Sequence, residues 1–147
     1  MSGPPIEDRS FGDLTTRQLH DLLRLRVDVF VVEQECPYAE LDGRDIDPTT
    51  RHMWVADADD RPRAYLRLLD DGGHRRIGRV VVRADARSAG LARALVDHAI
   101  EAHPGPWVLD AQTYMTGWYE KLGFTTTGPE FQDVGVPHVP MRREASV

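Results

Sequence analysis

The stretch around Gly90 combines a strand, a turn and a helix start, and its residue types suit phosphate binding. Apolar residues run from Val80 to Val82, and leucines at helical spacing follow the turn. The first turn of a helix leaves about four amide N–H groups without partners, and the helix dipole adds roughly half a positive charge. Small residues at Ala89, Gly90 and Ala92 allow a pyrophosphate to approach these amides. The alternative is that Gly90 only opens an ordinary helix, because short glycine motifs are weak evidence.

Two common nucleotide-binding motifs are excluded at this turn. No Gly-Lys-Ser/Thr follows it, so it is not a Walker loop, and it lacks the G-x-G-x-x-G pattern that follows a first strand in dinucleotide-binding domains. Arg87 and Arg93 flank the turn and add positive charge. The sequence therefore predicts a site for a phosphate-bearing ligand of another kind.

The elements that position this turn form a single domain over residues 1–147, because this length leaves no room for a second one. Thr15 and Gln18 match a capping box, and the apolar spacing that follows predicts a helix through Val31. Residues 35–48 carry no period and predict a long loop. Runs at 51–56, 63–69 and 77–83 predict an antiparallel meander.

The second half of the chain begins with a pattern that predicts a strand–helix–strand crossover connection. Residues 90–103 have helical spacing, 107–111 form a short apolar run, and 113–122 predict a second short helix. Residues 124–127 and 137–141 predict a closing hairpin. Antiparallel strands followed by one crossover indicate a mixed α/β sheet of the α+β type.

Composition excludes several classes of protein. The net charge of −6 disfavours nonspecific binding to nucleic acid. The only cysteine, Cys36, cannot form an internal disulfide, and the first residues lack the features of a signal peptide, so we expect a cytoplasmic protein. The apolar runs are too short to cross a bilayer, so we expect no membrane partner. The histidines, acids and cysteine show no metal-site spacing, so we expect no metal. The oligomeric state stays open, a homodimer included.

Four separated motifs resemble the GCN5-related N-acetyltransferase (GNAT) family. Arg87-x-x-Gly90-x-Ala92 is similar to the family's coenzyme A loop, and residues 118–124, WYEKLGF, are similar to its aromatic-Tyr-x-x-x-Gly-Phe motif. The blocks at 25–38 and 41–45, and the late GVPHVPM at 135–141, resemble the ElaA subgroup. The resemblance covers roughly residues 9–143 and implies the fold and the acyl donor but not the acceptor.

The resemblance implies a mostly antiparallel sheet, splayed at its central strands and flanked by helices, with acetyl-coenzyme A as the acetyl donor. The pantetheine arm would lie between the strands at 77–82 and 107–111, against backbone groups of Val80 and Val82. Gln112 stands where many relatives have asparagine. The residues expected at the donor are Val80, Val81, Val82, Arg87, Ser88, Ala89, Gly90, Leu91, Ala92, Arg93, Gln112 and Tyr119.

The implied reaction needs a proton acceptor for the amine, a donor for the oxyanion and an acid for the leaving thiolate. Tyr119 matches the family's tyrosine acid, although an aromatic residue beside Leu-Gly-Phe also suits a core. A backbone N–H of Val81 or Val82 is expected at the oxyanion. Glu33 is the first candidate base, followed by His52 and His138.

The acceptor site is expected to be acidic. Carboxylates crowd the region from Glu33 to Asp47, which suits a cationic amine of a small molecule or peptide. An ordinary solvated loop is the alternative. The residues expected to bind the acceptor are Arg26, Phe30, Glu33, Asp42, Asp45, His52 and His138.

Two other functions compete with direct acetyl transfer. Arg26-x-x-x-Phe30 with Asp42-x-x-Asp45 is similar to acyl-homoserine-lactone synthases, which share the fold and acylate S-adenosylmethionine. Those chains are usually longer, and the loop at Arg87 favours coenzyme A over an acyl-carrier partner. The second alternative is a catalytically inactive module that binds acyl-coenzyme A and regulates a partner.

Overall fold

One mixed sheet organises the computed structural model, which describes residues 3–145. The strand order is β1-β2-β3-β4-β5-β8-β6, and β7 pairs with β8. All neighbouring strands are antiparallel except β4 and β5. The strands are β1 (Glu7–Ser10), β2 (Arg51–Ala56), β3 (Pro62–Asp70), β4 (Arg75–Val82), β5 (Trp107–Gln112), β6 (Thr125–Thr126), β7 (Phe131–Asp133) and β8 (Val136–Arg143). The predicted mixed sheet is confirmed.

Helices cover both faces of the sheet. They are α1 (Thr16–Val27), α2 (Leu91–Ala102) and α3 (Thr116–Glu120). The capping box is present at α1, where the Thr15 side chain accepts from the Gln18 amide and the Gln18 side chain accepts from the Thr15 amide. On one face α1 packs against Trp54, Tyr65 and Val81. On the other face the apolar side of α2 joins the larger core.

The central strands separate soon after they begin. Strands β4 and β5 pair only at Arg75 with Trp107 and at Arg76 with Val108. Further along, the register between β3 and β4 shifts, because Arg79 and Val80 together lie opposite a single residue of β3. This bulge bends β4 away from β5. The sheet is therefore open between its two central strands, as the resemblance implied.

The structure corrects several predicted boundaries. The polar segment that forms β1 carried no strand pattern, because an exposed edge strand is held by backbone pairing with β2 rather than by apolar burial. The first helix continues as a π-helical turn over Asp28–Glu33. The predicted helix at 113–122 is a 3₁₀ turn, Thr113–Met115, followed by α3. The closing hairpin is formed by β7 and β8, while β6 pairs with the far end of β8.

Candidate active site

A cavity of about 660 Å³ lies in the opening between β4 and β5. The π-helical turn after α1 and the loop behind it cover one side, and α3 with the β7–β8 hairpin covers the other. Ten of the predicted site residues line the cavity: Phe30, Glu33, Val80, Val81, Val82, Arg87, Ala92, Gln112, Tyr119 and His138. The fold thus brings the predicted donor loop, the tyrosine and one histidine to a single cleft.

The backbone of Val82 faces this cleft. The Arg83 amide donates to the Arg63 carbonyl, so these two residues form a hydrogen-bonded pair. Hydrogen-bonded and non-hydrogen-bonded pairs alternate along an antiparallel ladder, so the next pair, Val82 with Ala64, is not hydrogen-bonded. The N–H and C=O of Val82 therefore point away from β3. The Val82 carbonyl indeed accepts from Arg87 Nε at 3.1 Å. The same alternation turns the Val81 backbone toward β3, which removes Val81 as an oxyanion donor and leaves Val82.

The turn before α2 has the backbone expected of an anion cradle. Gly90 is the N-cap residue with φ +75°, a left-handed conformation that favours glycine, and no side chain caps the helix. Ser88 also has positive φ, at 71°. A Cβ at Gly90 would meet no atom within 4 Å, so the approach to the first amides of α2 is open. The residues present therefore fit a pyrophosphate at this helix end.

The side chains of the turn have different roles. Arg87 lines the cleft and donates from Nη2 to Glu33 Oε2 at 2.7 Å. The Leu91 side chain is buried in the core, so only its backbone faces the turn. Arg93 does not line the cleft: it lies along α2 beside Asp97, 3.6 Å away, and borders a second surface depression. The expectation that Arg93 contacts the donor directly is therefore not supported by this geometry.

Tyr119 lies between the core and the cleft. Its side chain is 8% exposed and packs edge-on against Trp118 and Phe124. Burial raises its pKa to about 12, with a smaller contribution from Tyr114. The phenol is therefore protonated at neutral pH and is a proton donor rather than a base. Tyr119 therefore belongs both to the hydrophobic core, where its ring packs, and to the lining of the cavity.

His138 faces Gln112 across β5 and β8 and lines the same cavity. Its Nδ1 lies 2.8 Å from the carbonyl oxygen of Val136. A carbonyl only accepts, so Nδ1 carries a proton and Nε2 is the ring nitrogen left to exchange one. The Phe131 ring stacks against the imidazole at 5.9 Å between centroids. This arrangement holds the imidazole in one orientation beside the cleft.

His52 and Glu33 are less suited to act as the base. His52 is 1% exposed, with Nδ1 2.7 Å from the Tyr65 hydroxyl and Nε2 3.0 Å from the Asp45 carbonyl. Burial lowers the pKa of His52. Glu33 reaches the cleft, but its carboxylate is paired with Arg87. The geometry therefore favours His138, which the sequence placed behind Glu33 and beside His52, as the candidate base.

The acidic loop forms an ion network instead of an open acidic pocket. Arg26, which is 1% exposed, donates to Glu40 at 2.6 Å and to Asp45 at 2.8 Å. Arg67 pairs with Asp42 and, at 3.1 Å, with Asp45. Hydrogen bonds from Arg67 lower the pKa of Asp42. Arg26, Asp45 and His52 are therefore buried beneath the loop, a position that does not support the expected contact with the acceptor, and the carboxylates of the loop are paired with arginines.

Several cleft residues carried no recognisable signal in the sequence. Arg67, Arg79 and Gly78 line the cavity from β3 and β4, and Asp133 lines it from β7. The sequence contains many arginines, and nothing in it distinguishes Arg67 and Arg79 from the rest. Only the pairing of β3 with β4 brings these two under the loop. Arg79 has φ +53° in the bulge and pairs with Glu40 at 2.8 Å.

The described part of the chain lacks the features of two other classes of site. Within residues 3–145, the side chains contain no group of His, Cys, Asp and Glu residues that could hold a metal ion. No helix in the same range is long and apolar enough to span a bilayer.

The sheet, its open centre and the helix end beside it define an acyl-CoA N-acyltransferase fold. A family model described as acetyltransferase (GNAT) domain matches residues 19–145. The chain therefore belongs to the GNAT acetyltransferase family.

Individual relatives agree with this assignment. UPF0039 protein Rv2851c of Mycobacterium tuberculosis is 48% identical over 91% of this chain and 89% of its own length. The crystal structure of an acyl-CoA N-acyltransferase from Pseudomonas aeruginosa matches with a TM-score of 0.91 and 38% identity, over 96% of this chain and 99% of that one. The crystal structure of Escherichia coli ElaA matches with a TM-score of 0.88 and 34% identity, over 95% and 99%. The resemblance to the ElaA subgroup is confirmed.

Proposed function

We propose that this protein transfers an acetyl group from acetyl-coenzyme A to a primary amine of a small molecule or peptide, by direct transfer within the cleft. The observation that carries the proposal is the convergence of three groups on one cavity: the open helix end at Gly90, the protonated phenol of Tyr119 and the imidazole of His138. The single free cysteine and the absence of a spanning helix in residues 3–145 are compatible with the cytoplasm as its location.

In the proposed reaction the amine nitrogen attacks the thioester carbonyl carbon, a C–N bond forms and the C–S bond breaks. His138 Nε2 takes the proton that the amine loses, directly or through water. The Val82 amide donates to the oxygen that becomes negative. Tyr119 donates its proton to the departing thiolate. The amides of α2 and Arg87 hold the pyrophosphate, and Gln112 offers an amide to the pantetheine arm.

The synthase-like alternative has less support. It depends on Arg26, Asp42 and Asp45, and their pairing explains their presence as supports of the loop. The alternative of an inactive binding module is distinguished by turnover. An open donor site together with a proton donor and a proton acceptor in one cleft favours an enzyme.

The proposal is tested by titrating the protein calorimetrically with acetyl-coenzyme A, coenzyme A and S-adenosylmethionine, and then by mass spectrometry of amines incubated with acetyl-coenzyme A. We expect acetyl-coenzyme A to bind and at least one amine to gain an acetyl group. Binding without acetylation of any amine would favour the regulatory module, and binding of S-adenosylmethionine would favour the synthase-like enzyme.

The base is tested by His138→Gln and Glu33→Gln in parallel. Loss of a general base is expected to lower kcat about 100-fold or more in His138→Gln, with acetyl-coenzyme A affinity retained. Glu33→Gln changes the partner of Arg87 and is expected to weaken donor binding more than it lowers kcat. The opposite pattern would return the base role to Glu33.

A further inference from the structure

One half of the cleft is not used by the donor groups. Its floor is the start of β4, where the Arg76 guanidinium lies 3.2 Å from the Asp110 carboxylate and joins β4 to β5. At Gly78 the strand surface has no side chain, and a Cβ there would meet no atom within 4 Å. Gly78 has no left-handed backbone that would demand glycine. The bare surface at Gly78 therefore leaves room in the cavity.

Guanidinium groups border Gly78 on one side. Arg67 lies directly opposite Gly78 across the β3–β4 ladder, and Arg79 follows Gly78 in the bulge. Both Nη atoms of Arg67 bind carboxylates of the loop, but its Nε is a buried donor without a hydrogen-bond partner within residues 3–145. An unsatisfied buried donor is unfavourable. The carboxylates that pair with Arg67 and Arg79 do not line the cavity, so the guanidinium groups and not their partners face the cleft.

The opposite side of the cleft has the complementary charge. Asp133 and His138 line the cavity from the β7–β8 hairpin. Among the described residues, no ion pair or side-chain hydrogen bond engages the Asp133 carboxylate, whereas the other two carboxylates lining the cavity, Glu33 and Asp110, are paired with arginines. The free negative charge of the cleft is therefore on the same side as the imidazole that accepts the proton.

We infer that the acceptor is a small amino acid, a molecule that carries a carboxylate besides its reacting amine, and that it sits over Gly78. Its carboxylate lies toward Arg67 and Arg79, and its amine lies toward Asp133 and His138. Guanidinium N–H donors on one side and a carboxylate with an imidazole on the other orient the molecule, because each of its ends finds complementary groups on one side only. This inference rests on the proposed function and names the substrate class of the same site.

Matched pairs of amines test the carboxylate requirement. β-Alanine is compared with n-propylamine, and lysine with 1,5-diaminopentane, so that the members of each pair differ by the carboxylate. Product is measured by mass spectrometry, and binding to the protein saturated with coenzyme A is measured by calorimetry. The carboxylate-bearing member is expected to have a kcat/KM and an affinity at least about tenfold higher.

A substitution in the open space tests the position. Gly78→Leu fills the bare surface and is expected to raise the acceptor KM about tenfold or more while the Kd of acetyl-coenzyme A stays within about twofold. The control is Gly73→Leu, at a turn glycine that also has open space and ordinary backbone, outside the cavity. The control is expected to change neither value.

Distinct results overturn the two proposals. Equal or faster acetylation of the amines without a carboxylate, or their equal or tighter binding, would overturn the amino-acid inference while leaving an N-acetyltransferase. An unchanged acceptor KM in Gly78→Leu, or failure of every amine in both pairs to bind, would also overturn it. Failure of the protein to bind acetyl-coenzyme A would overturn the proposed function itself.

Discussion

Replacing Tyr119 by Phe separates the chemistry of the phenol from its packing. The ring contacts Trp118 at 4.8 Å and Phe124 at 6.0 Å between centroids, and phenylalanine retains both contacts. Within residues 3–145 no protein group forms a hydrogen bond with the Tyr119 hydroxyl. The free energy of unfolding is therefore expected to change by less than about 1 kcal/mol.

The catalytic effect of the same change is expected to be much larger. Loss of the acid that protonates the thiolate lowers kcat by about 100- to 10,000-fold, or about 3–5 kcal/mol. The Kd of acetyl-coenzyme A stays within about threefold, because the lost interaction belongs to the transition state. The pKa of about 12 keeps the wild-type phenol protonated, so its ionisation does not lower kcat below about pH 11.

The assay is acetylation of an accepted amine at saturating donor, with calorimetry for Kd and thermal unfolding for stability. Tyr114→Phe is the matched control, because Tyr114 borders the same cavity but is 79% exposed. Its kcat is expected to fall by no more than about threefold. A wild-type kcat in Tyr119→Phe would refute the assignment of the acid, and a collapse in stability would refute the packing argument.

Three further changes test the ion network beneath the loop, the donor site and the contacts of the edge strand. Glu40→Gln removes a buried charge shared by Arg26 and Arg79 and is expected to cost about 3–5 kcal/mol, measured by chemical unfolding. Gly90→Asp puts a carboxylate at the open helix end and is expected to weaken acetyl-coenzyme A binding about 100-fold by calorimetry. Asp8→Asn is expected to lower stability at pH 7 by about 2 kcal/mol, and the difference from wild type should shrink below about pH 4.

The sign of the last effect follows from the contacts of Asp8. Burial alone raises its pKa, but hydrogen bonds with His103, His98 and Arg51 outweigh burial and hold the pKa well below its ordinary value. A carboxyl with a lowered folded-state pKa stabilises the protein above its unfolded pKa, and this stability is lost as the pH falls toward the folded value. A destabilisation that was constant from pH 7 to pH 3 would contradict this.

Matched substitutions serve as controls for Glu40→Gln and Gly90→Asp. Glu144→Gln removes an exposed charge beside Arg142 and is expected to cost less than about 1 kcal/mol. If Glu40→Gln cost no more than this control, the ion network would not support the loop. Gly90→Asn is the control for Gly90→Asp, because asparagine must adopt the same left-handed backbone but carries no charge. Equal affinities for the two Gly90 variants would mean that strain, and not charge, weakens binding.

The sequence alone determined the family and the order of most elements, and it predicted the donor end of the cleft. These features depend on local patterns: apolar periodicity, a capping box, and two short motifs around Gly90 and Tyr119 whose residues are neighbours in the chain. The N-terminus of a helix with small residues can bind an anion in any fold, so phosphate binding there can be predicted from the sequence.

Only the tertiary structure supplied the contacts from which the acceptor end and the base are proposed. Charges at 33–47 indicated an acidic pocket, but β3 and β4 bring Arg67 and Arg79 against the loop, so its carboxylates are paired and the arginines line the cavity in their place. His52 and His138 were equivalent in the sequence, and only strand pairing buries one and leaves the other on the cleft. Burial and ion pairing arise between residues distant in the chain, so no local pattern encodes them.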